Sequence, residues 1–417
     1  MLSKNASKKS CLLFATLLLV FSVSADFYAA PGDLDPTFGN GGVEVTKLSR
    51  YDDSVRAIAV QPDGSAAPTI TIPVSDTNWF FSPFNWYLNG SAFAQSQSPG
   101  AYFALRFAGT RAALAVDVAS LSGAGVNPSG WPVIRWQIDS GPPQDHRLKQ
   151  ADVLIQLNSQ ALAPGTHSLR VWFVGADRFQ DRWLVPVESV RVTGLVIDAV
   201  GSTLPPALRP GGMVFFGDSI TEGVATECKK LDCNDATHAY PYACAAALNV
   251  EFGVVGFAGQ GWTVSTIAAS GVPPFPETWE SQFAGQPRSF VPAPDYVVVV
   301  HGANDALARF PGDVANALQA WIGNARDVLR GSKIFVVVPF GGYERDELTQ
   351  GFNAYQAAAD DRNAYLIDLG PEAEVGLNSG FVKGGTPTSY DGIHPTAARS
   401  AELGAMLAQA IQEALSK

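Results

Sequence analysis

The chain reads as two folded parts in series, a β-sandwich of the jelly-roll kind and then a three-layer α/β/α domain. Three observations predict this order. From about residue 68 to 203 short β-branched or aromatic runs follow one another with no helical period between them. From 212 onward apolar runs alternate with helical stretches. Between the two lies Leu204-Pro205-Pro206-Ala207-Leu208-Arg209-Pro210-Gly211, a stiff linker at 204–211.

Taken in order, residues 1–25 carry Lys4, Lys8 and Lys9, the apolar run Leu12 to Val20, and Val23-Ser24-Ala25. That is a basic n-region, an h-region and a small-residue cleavage site, so a secretory signal peptide is expected, and a secreted or periplasmic location with it. The apolar core is short for a membrane span of ~20 residues. Residues 26–65 stand apart: Leu34-Asp35-Pro36-Thr37-Phe38-Gly39-Asn40-Gly41-Gly42, with Asp53 to Gly64 after it, resembles one copy of the delta-60 repeat. A single copy is short of the neighbours that a repeat needs to bury a core.

The sandwich is expected over 66–203. Its strands are Tyr102–Phe107, Ala113–Val118, Val133–Ile138, Ser168–Phe173 and Val190–Ile197, punctuated by Gly109, Asn127-Pro128, Gly141-Pro142-Pro143 and Pro164-Gly165. The aromatic stretch Thr77 to Tyr87 suits a glycan platform, a sandwich core or an interdomain seam. The second domain spans 212–417. Strands are expected at 213–216, 250–257, 296–300, 334–339 and 364–368, with helices near 237–248, 314–330, 345–359 and 396–415. Val297 to Val300 and Phe335 to Val338 are continuous β-formers, as strands buried on both faces require, which makes a five-stranded parallel sheet.

Over 417 residues Asp and Glu number 39 against 28 Lys and Arg, a net charge of −11. Loss of residues 1–25 takes three lysines and no acid. Such a surface repels nucleic acid and anionic lipid and tolerates neutral substrates such as sugars. Cys11 would leave with the leader. Cys228 and Cys233 are candidates for a small disulfide in an oxidising compartment, and Cys244, in an Ala-rich helical run, reads as a buried free thiol. No second Cys or His pair has zinc-ligand spacing, so neither metal nor cofactor is expected.

Ser219, in Gly217-Asp218-Ser219-Ile220-Thr221, leaves the carboxyl end of the first parallel strand, where open α/β sheets build their sites. A serine hydroxyl attacks an ester only if a base takes its proton, and the base must be oriented by an acceptor. Of five histidines, His394 has an acid at turn spacing, in Asp391-Gly392-Ile393-His394-Pro395. Pro395 suits a first helical residue. His394 is therefore the expected base and Asp391 its orienter. Charge on the attacked carbonyl oxygen needs donors. Ser219 N–H is one; Gly259, or Gly261 as fallback, in the turn after the second strand is another; the Asn304 amide in Gly302-Ala303-Asn304-Asp305 is a third. Trp262 is a candidate sugar-stacking or acyl-pocket wall, with a packed core aromatic as its alternative. The Gly-x-Ser-x-Gly elbow fails, because Thr221 stands two residues after Ser219.

Gly217-Asp218-Ser219-Ile220, Gly259, Gly302-x-Asn304-Asp305 and Asp391-x-x-His394 together resemble the SGNH/GDSL hydrolase superfamily over residues 212–417. The resemblance implies a flavodoxin-like sheet, Ser219 as nucleophile, Gly259 and Asn304 in an oxyanion hole, and Asp391 and His394 completing a triad. With the sandwich ahead of it, the chain is similar to two-domain carbohydrate esterases that deacetylate xylan. The expected activity is thus a secreted serine esterase acting on acetylated carbohydrate. Alternatives are a short-chain esterase, thioesterase or lipase of the same superfamily, or a glycan-binding protein without catalysis. Nucleic acid and membrane are not expected partners, and the oligomeric state is not written in the sequence.

Overall fold

Alternation dictates the sandwich. Along Thr166–Gly175 the side chains of His167, Leu169, Val171 and Phe173 are buried while Thr166 and Ser168 face out, as a strand covered on one face must be. In this computed structural model, which describes residues 68–122, 130–185, 187–375, 382–383 and 386–417, such strands form two antiparallel sheets. The expected leader at 1–25 and the repeat-like segment at 26–65 lie outside the described residues.

One sheet runs Tyr87–Asn89, Phe93–Ser96, Val190–Asp198, Ala112–Val116, Leu154–Gln156, with Thr69–Pro73 also paired to Val190–Asp198. The other runs Ser202–Leu204, Tyr102–Ala108, Thr166–Gly175, Val133–Ile138, Gln144–Arg147, with Phe80–Phe81 on Tyr102–Ala108. Leu105, Phe107, Leu169 and Val171 from one sheet meet Leu114, Val192, Leu195 and Ile197 from the other in a single core.

The second architecture is a parallel sheet of β1 (Gly212–Gly217), β2 (Glu251–Gly256), β3 (Tyr296–Val300), β4 (Lys333–Val337) and β5 (Ala364–Ile367). Their spatial order is β2-β1-β3-β4-β5, the flavodoxin-like order, whose switch point lies beside the first strand. The strands bury both faces. Val214 and Phe216 join the core under α2 (Val314–Val328) and α3 (Arg345–Ala359). Met213 and Phe215 join the core under α1 (Tyr240–Leu248) and α4 (Ala397–Leu415). Register aligns the strand ends: Gly217 pairs with Gly256 on one side and Val300 on the other. The segments that leave β1, β2 and β3 therefore start level with one another, and they carry Ser219, Gly259 and, in the short helix Ala303–Leu307, Asn304.

Pro68–Lys417 is one compact unit, and polar contacts join its sandwich to its parallel sheet. Tyr242 donates its hydroxyl to Gly100 O (2.8 Å), Asn85 Nδ2 donates to Val254 O (3.2 Å), and the Tyr102 hydroxyl donates to Glu251. The aromatic stretch is spent here. Trp79 and Trp86 are buried against Phe81 and Phe103 in the sandwich core, and Phe84 stacks on Phe290 at the seam, 5.6 Å between centroids. Cys228 and Cys233 are bonded to each other, Cα atoms 5.2 Å apart, and Cys244 is a buried thiol in α1. One terminus differs from expectation. Thr396, whose hydroxyl accepts Arg399 N–H, caps α4, so Pro395 stands outside the helix instead of opening it.

Candidate active site

Gly217 must be glycine, because a Cβ there would sit 1.9 Å from Thr221 Oγ1. The chain turns tightly after it: Glu222 N–H reaches Asp218 O (3.1 Å), Val224 N–H reaches Ser219 O (3.0 Å), and the Thr221 hydroxyl lies 2.9 Å from that of Tyr240. Ser219 is held at the sheet's edge, 9 % exposed.

The Asp391–His394 turn comes up opposite. Asp391 Oδ1 accepts the N–H groups of Ile393 (3.0 Å) and His394 (2.9 Å), and Oδ2 faces His394 Nδ1 at 2.7 Å. Nε2 of the same ring lies 2.8 Å from Ser219 Oγ. A carboxylate can only accept, so Nδ1 carries the proton and Nε2 presents its lone pair to the serine. Burial pushes the Asp391 carboxyl up, but the hydrogen bond and charge of His394 and the two amides outweigh it and hold the group well below the usual carboxylate range.

The other histidines also have partners: His146 with Asp152 (2.7 Å), His167 with Asp139 (2.7 Å) and His238 with Glu227 (2.6 Å). A carboxylate neighbour therefore does not set His394 apart; contact with Ser219 does. His301, fully buried against Phe275, is pushed down to about 3 by that burial.

Three donors were expected around the attacked carbonyl. Ser219 N–H and Gly259 N–H have no protein acceptor among the described residues. Gly259 has φ +81°, and a Cβ there would meet Ile267 Cγ1 at 2.8 Å, so the turn demands glycine. Gly261, the fallback, spends its N–H on Val264 O (2.9 Å). Asn304 Nδ2 lies in the same place but is engaged, donating to Asp218 Oδ2 and to Gln260 O, each at 3.0 Å. Burial pushes the Asp218 carboxyl up to about 7, against the Ile220 amide and the His394 charge. Trp262 requires a correction. It is 1 % exposed, donates its indole N–H to His301 O (3.0 Å) and packs on Phe275 and Trp321. It is a core aromatic and offers no face to a sugar.

Sequence reasoning named Asp305 without its role and missed Arg178 and Phe179. Buried Asp305 accepts Trp262 N–H (2.9 Å) and Thr263 N–H (2.8 Å), tying the loop after β2 to the short helix after β3. Arg178 and Phe179, from the segment after the sandwich strand Thr166–Gly175, line a cavity of about 180 Å³ with Ser219, Gly259, Asn304 and His394. The signal was the charge-dense Asp177-Arg178-Phe179-Gln180-Asp181-Arg182 in a chain otherwise sparing of charge. Arg182, itself buried, pairs with buried Glu222 at 2.7 Å, and Glu222 Oε2 accepts Ala258 N–H at 3.3 Å. Away from this cavity Glu227, Asp235 and His238 bring three ligand atoms within 4.8 Å of one another. There Arg135 already binds Asp235 (2.9 Å) and His238 binds Glu227, which leaves a cation little to coordinate.

Residues 215–399 match the GDSL-like Lipase/Acylhydrolase family. A search of curated protein sequences returns no match. Among solved structures the chain is similar to a family two carbohydrate esterase from Cellvibrio japonicus, 18 % identical, covering 84 % of this chain and 99 % of that one with a TM-score of 0.67. It is also similar to an acetyl xylan esterase from Butyrivibrio proteoclasticus, 14 % identical over 84 % and 99 %, TM-score 0.63. A third is a family two carbohydrate esterase from Clostridium thermocellum in complex with cellohexaose, 18 % identical over 81 % and 99 %, TM-score 0.62. At these identities the likeness establishes the fold.

Proposed function

We propose that this carboxylic ester hydrolase, built on a GDSL-like domain, removes short acyl groups, acetyl first, from carbohydrate. The observation that carries the reading is the relay from Asp391 through His394 to Ser219, opening into a small cavity. Ser219 Oγ attacks the ester carbonyl while His394 Nε2 takes its proton, and Asp391 stabilises the imidazolium that forms. Charge on the carbonyl oxygen collects on the N–H groups of Ser219 and Gly259. Asn304 adds a third donor when an N–H leaves Asp218. Collapse expels the sugar oxygen, protonated by His394. Water, deprotonated by the same ring, then cleaves the acyl-enzyme to acetate and free Ser219.

A cavity of about 180 Å³ walled by Ile267, Leu307 and Ile393 suits a short acyl chain. Phe179, 45 % exposed beside it, offers an apolar ring to a sugar, and the similar structures include carbohydrate esterases. With residues 1–25 acting as a leader, the enzyme is secreted from the cell or works in the periplasm.

The test is acetate release from acetylated xylan by the protein and by Ser219→Ala. Release should fall by at least about 10⁴-fold in the variant. Turnover kept by Ser219→Ala refutes the nucleophile. No release from xylan by folded protein that still cleaves a small aryl acetate moves the reading to a short-chain esterase.

A further inference from the structure

We infer that Arg178 reads a carboxylate on the substrate, so that the preferred class is esters of uronic-acid glycans over neutral ones. The inference rests on the carbohydrate reading above and names the sugar chemistry that site would take.

Arg178 is the cation among the residues lining the cavity, which holds neither Lys nor a second Arg. Arg178 has neither ion pair nor hydrogen bond among the described residues. The acids nearest in sequence are occupied. Asp177 accepts Phe179 N–H (2.9 Å), and Asp181 accepts the N–H groups of Trp183 and Leu184 (2.8 Å each). The cavity's own acid, Asp218, takes Ile220 N–H and Asn304 Nδ2, each at 3.0 Å.

The guanidinium instead lies over the Phe179 ring, 4.8 Å from its centroid. A guanidinium held over a ring by cation–π attraction, with no acceptor on its N–H groups, has donors to offer a carboxylate. The segment bearing the pair is fixed. Arg182 N–H reaches Ser270 O (3.2 Å), the buried Arg182–Glu222 pair spans 2.7 Å, and Trp183 packs edge-on against Phe257 at 5.9 Å. A cation beside an exposed ring thus lines the cavity of Ser219. The chain's net charge of −11 would otherwise turn an acidic glycan away.

The test compares kcat/KM within matched pairs for the full chain, Arg178→Gln and Arg178→Lys. One pair is an acetylated methyl glucuronoside and the methyl glucoside acetylated at the same position. The second, free of sugar, is 4-acetoxybenzoate and 4-acetoxybenzamide. The anionic sugar should be favoured about tenfold at low salt, as expected of a charge-assisted hydrogen bond in a half-open site. The ratio should fall toward one in Arg178→Gln and at high salt, with Arg178→Lys between. A ratio near one in the parent protein, or one that Arg178→Gln leaves unchanged, overturns the inference. If neither sugar turns over while the aryl esters do, the carbohydrate reading fails, and the aryl pair decides the role of Arg178 by the same criteria.

Discussion

Asp391 works through two oxygens with separate duties. Oδ1 holds the turn by accepting Ile393 and His394 N–H, and Oδ2 sets the His394 tautomer. Asp391→Asn separates them. An asparagine can keep its oxygen on the two amides, but its NH₂ then faces Nδ1 and must donate. The imidazole proton moves to Nε2, where the ring can no longer accept from Ser219. The expected outcome is a fall in kcat of about 10⁴-fold with little change in KM and a lower melting temperature, because the ionised carboxyl that its partners stabilise in the fold is lost. A loss under tenfold would mean that Asp391 does not orient the base. Because the carboxyl sits well below the usual range, it stays ionised through mildly acidic conditions.

At the scale of elements, the segment 177–184 is a sandwich loop that serves the other domain. Its anchor is Arg182–Glu222, buried on both sides, with Glu222 also holding Ala258 N–H next to Gly259. Removing one partner strands a buried charge, so Arg182→Ala should cost about 3–5 kcal/mol in urea unfolding and lower kcat by displacing the Gly259 amide. Arg182→Met with Glu222→Leu should recover most of the stability, since no charge is left unpaired, but not the rate. A double variant as unstable as the single one would show that packing, not charge, anchors the loop.

This loop also marks where the sequence stopped being readable. Continuous apolar runs betray strands buried on both faces, and Asp391-x-x-His394 is local enough to be seen as one turn. Arg178 and Phe179 enter the cavity through tertiary packing alone, which no spacing along the chain encodes. Trp262 misled because its place beside the oxyanion turn is visible in sequence, whereas the direction of its ring, inward to Phe275, is not. Asn304 was legible as a donor, its engagement with Asp218 was not.

For the whole molecule, the buried acids set how stability depends on pH. Burial pushes Asp218 up to about 7; burial and Asp177 push Glu188 up to about 8, against Arg182 and Arg147. In the unfolded chain both titrate near 4, so from pH 6.5 to 8 the folded state holds protons that the unfolded state has lost. Stability therefore falls as pH rises through this window. His301 acts oppositely. Its folded value near 3 means that stability is lost as pH drops below about 6.5, which blunts the gain from the acids on that side. One histidine offsets only one of the two acids' protons, so below pH 6.5 the slope is blunted and not reversed, and between 6.5 and 8 the decline is roughly 2 kcal/mol when the proton uptake of Asp218 and Glu188 is integrated. Glu188 carries the larger share because it stays protonated further into the window. Glu188→Gln, which keeps the shape without the charge, should remove more than half of the slope in urea unfolding followed at pH 6.5, 7.2 and 8. A slope that the variant leaves intact would place the titrating group elsewhere, and Asp218→Asn would then be the variant to measure.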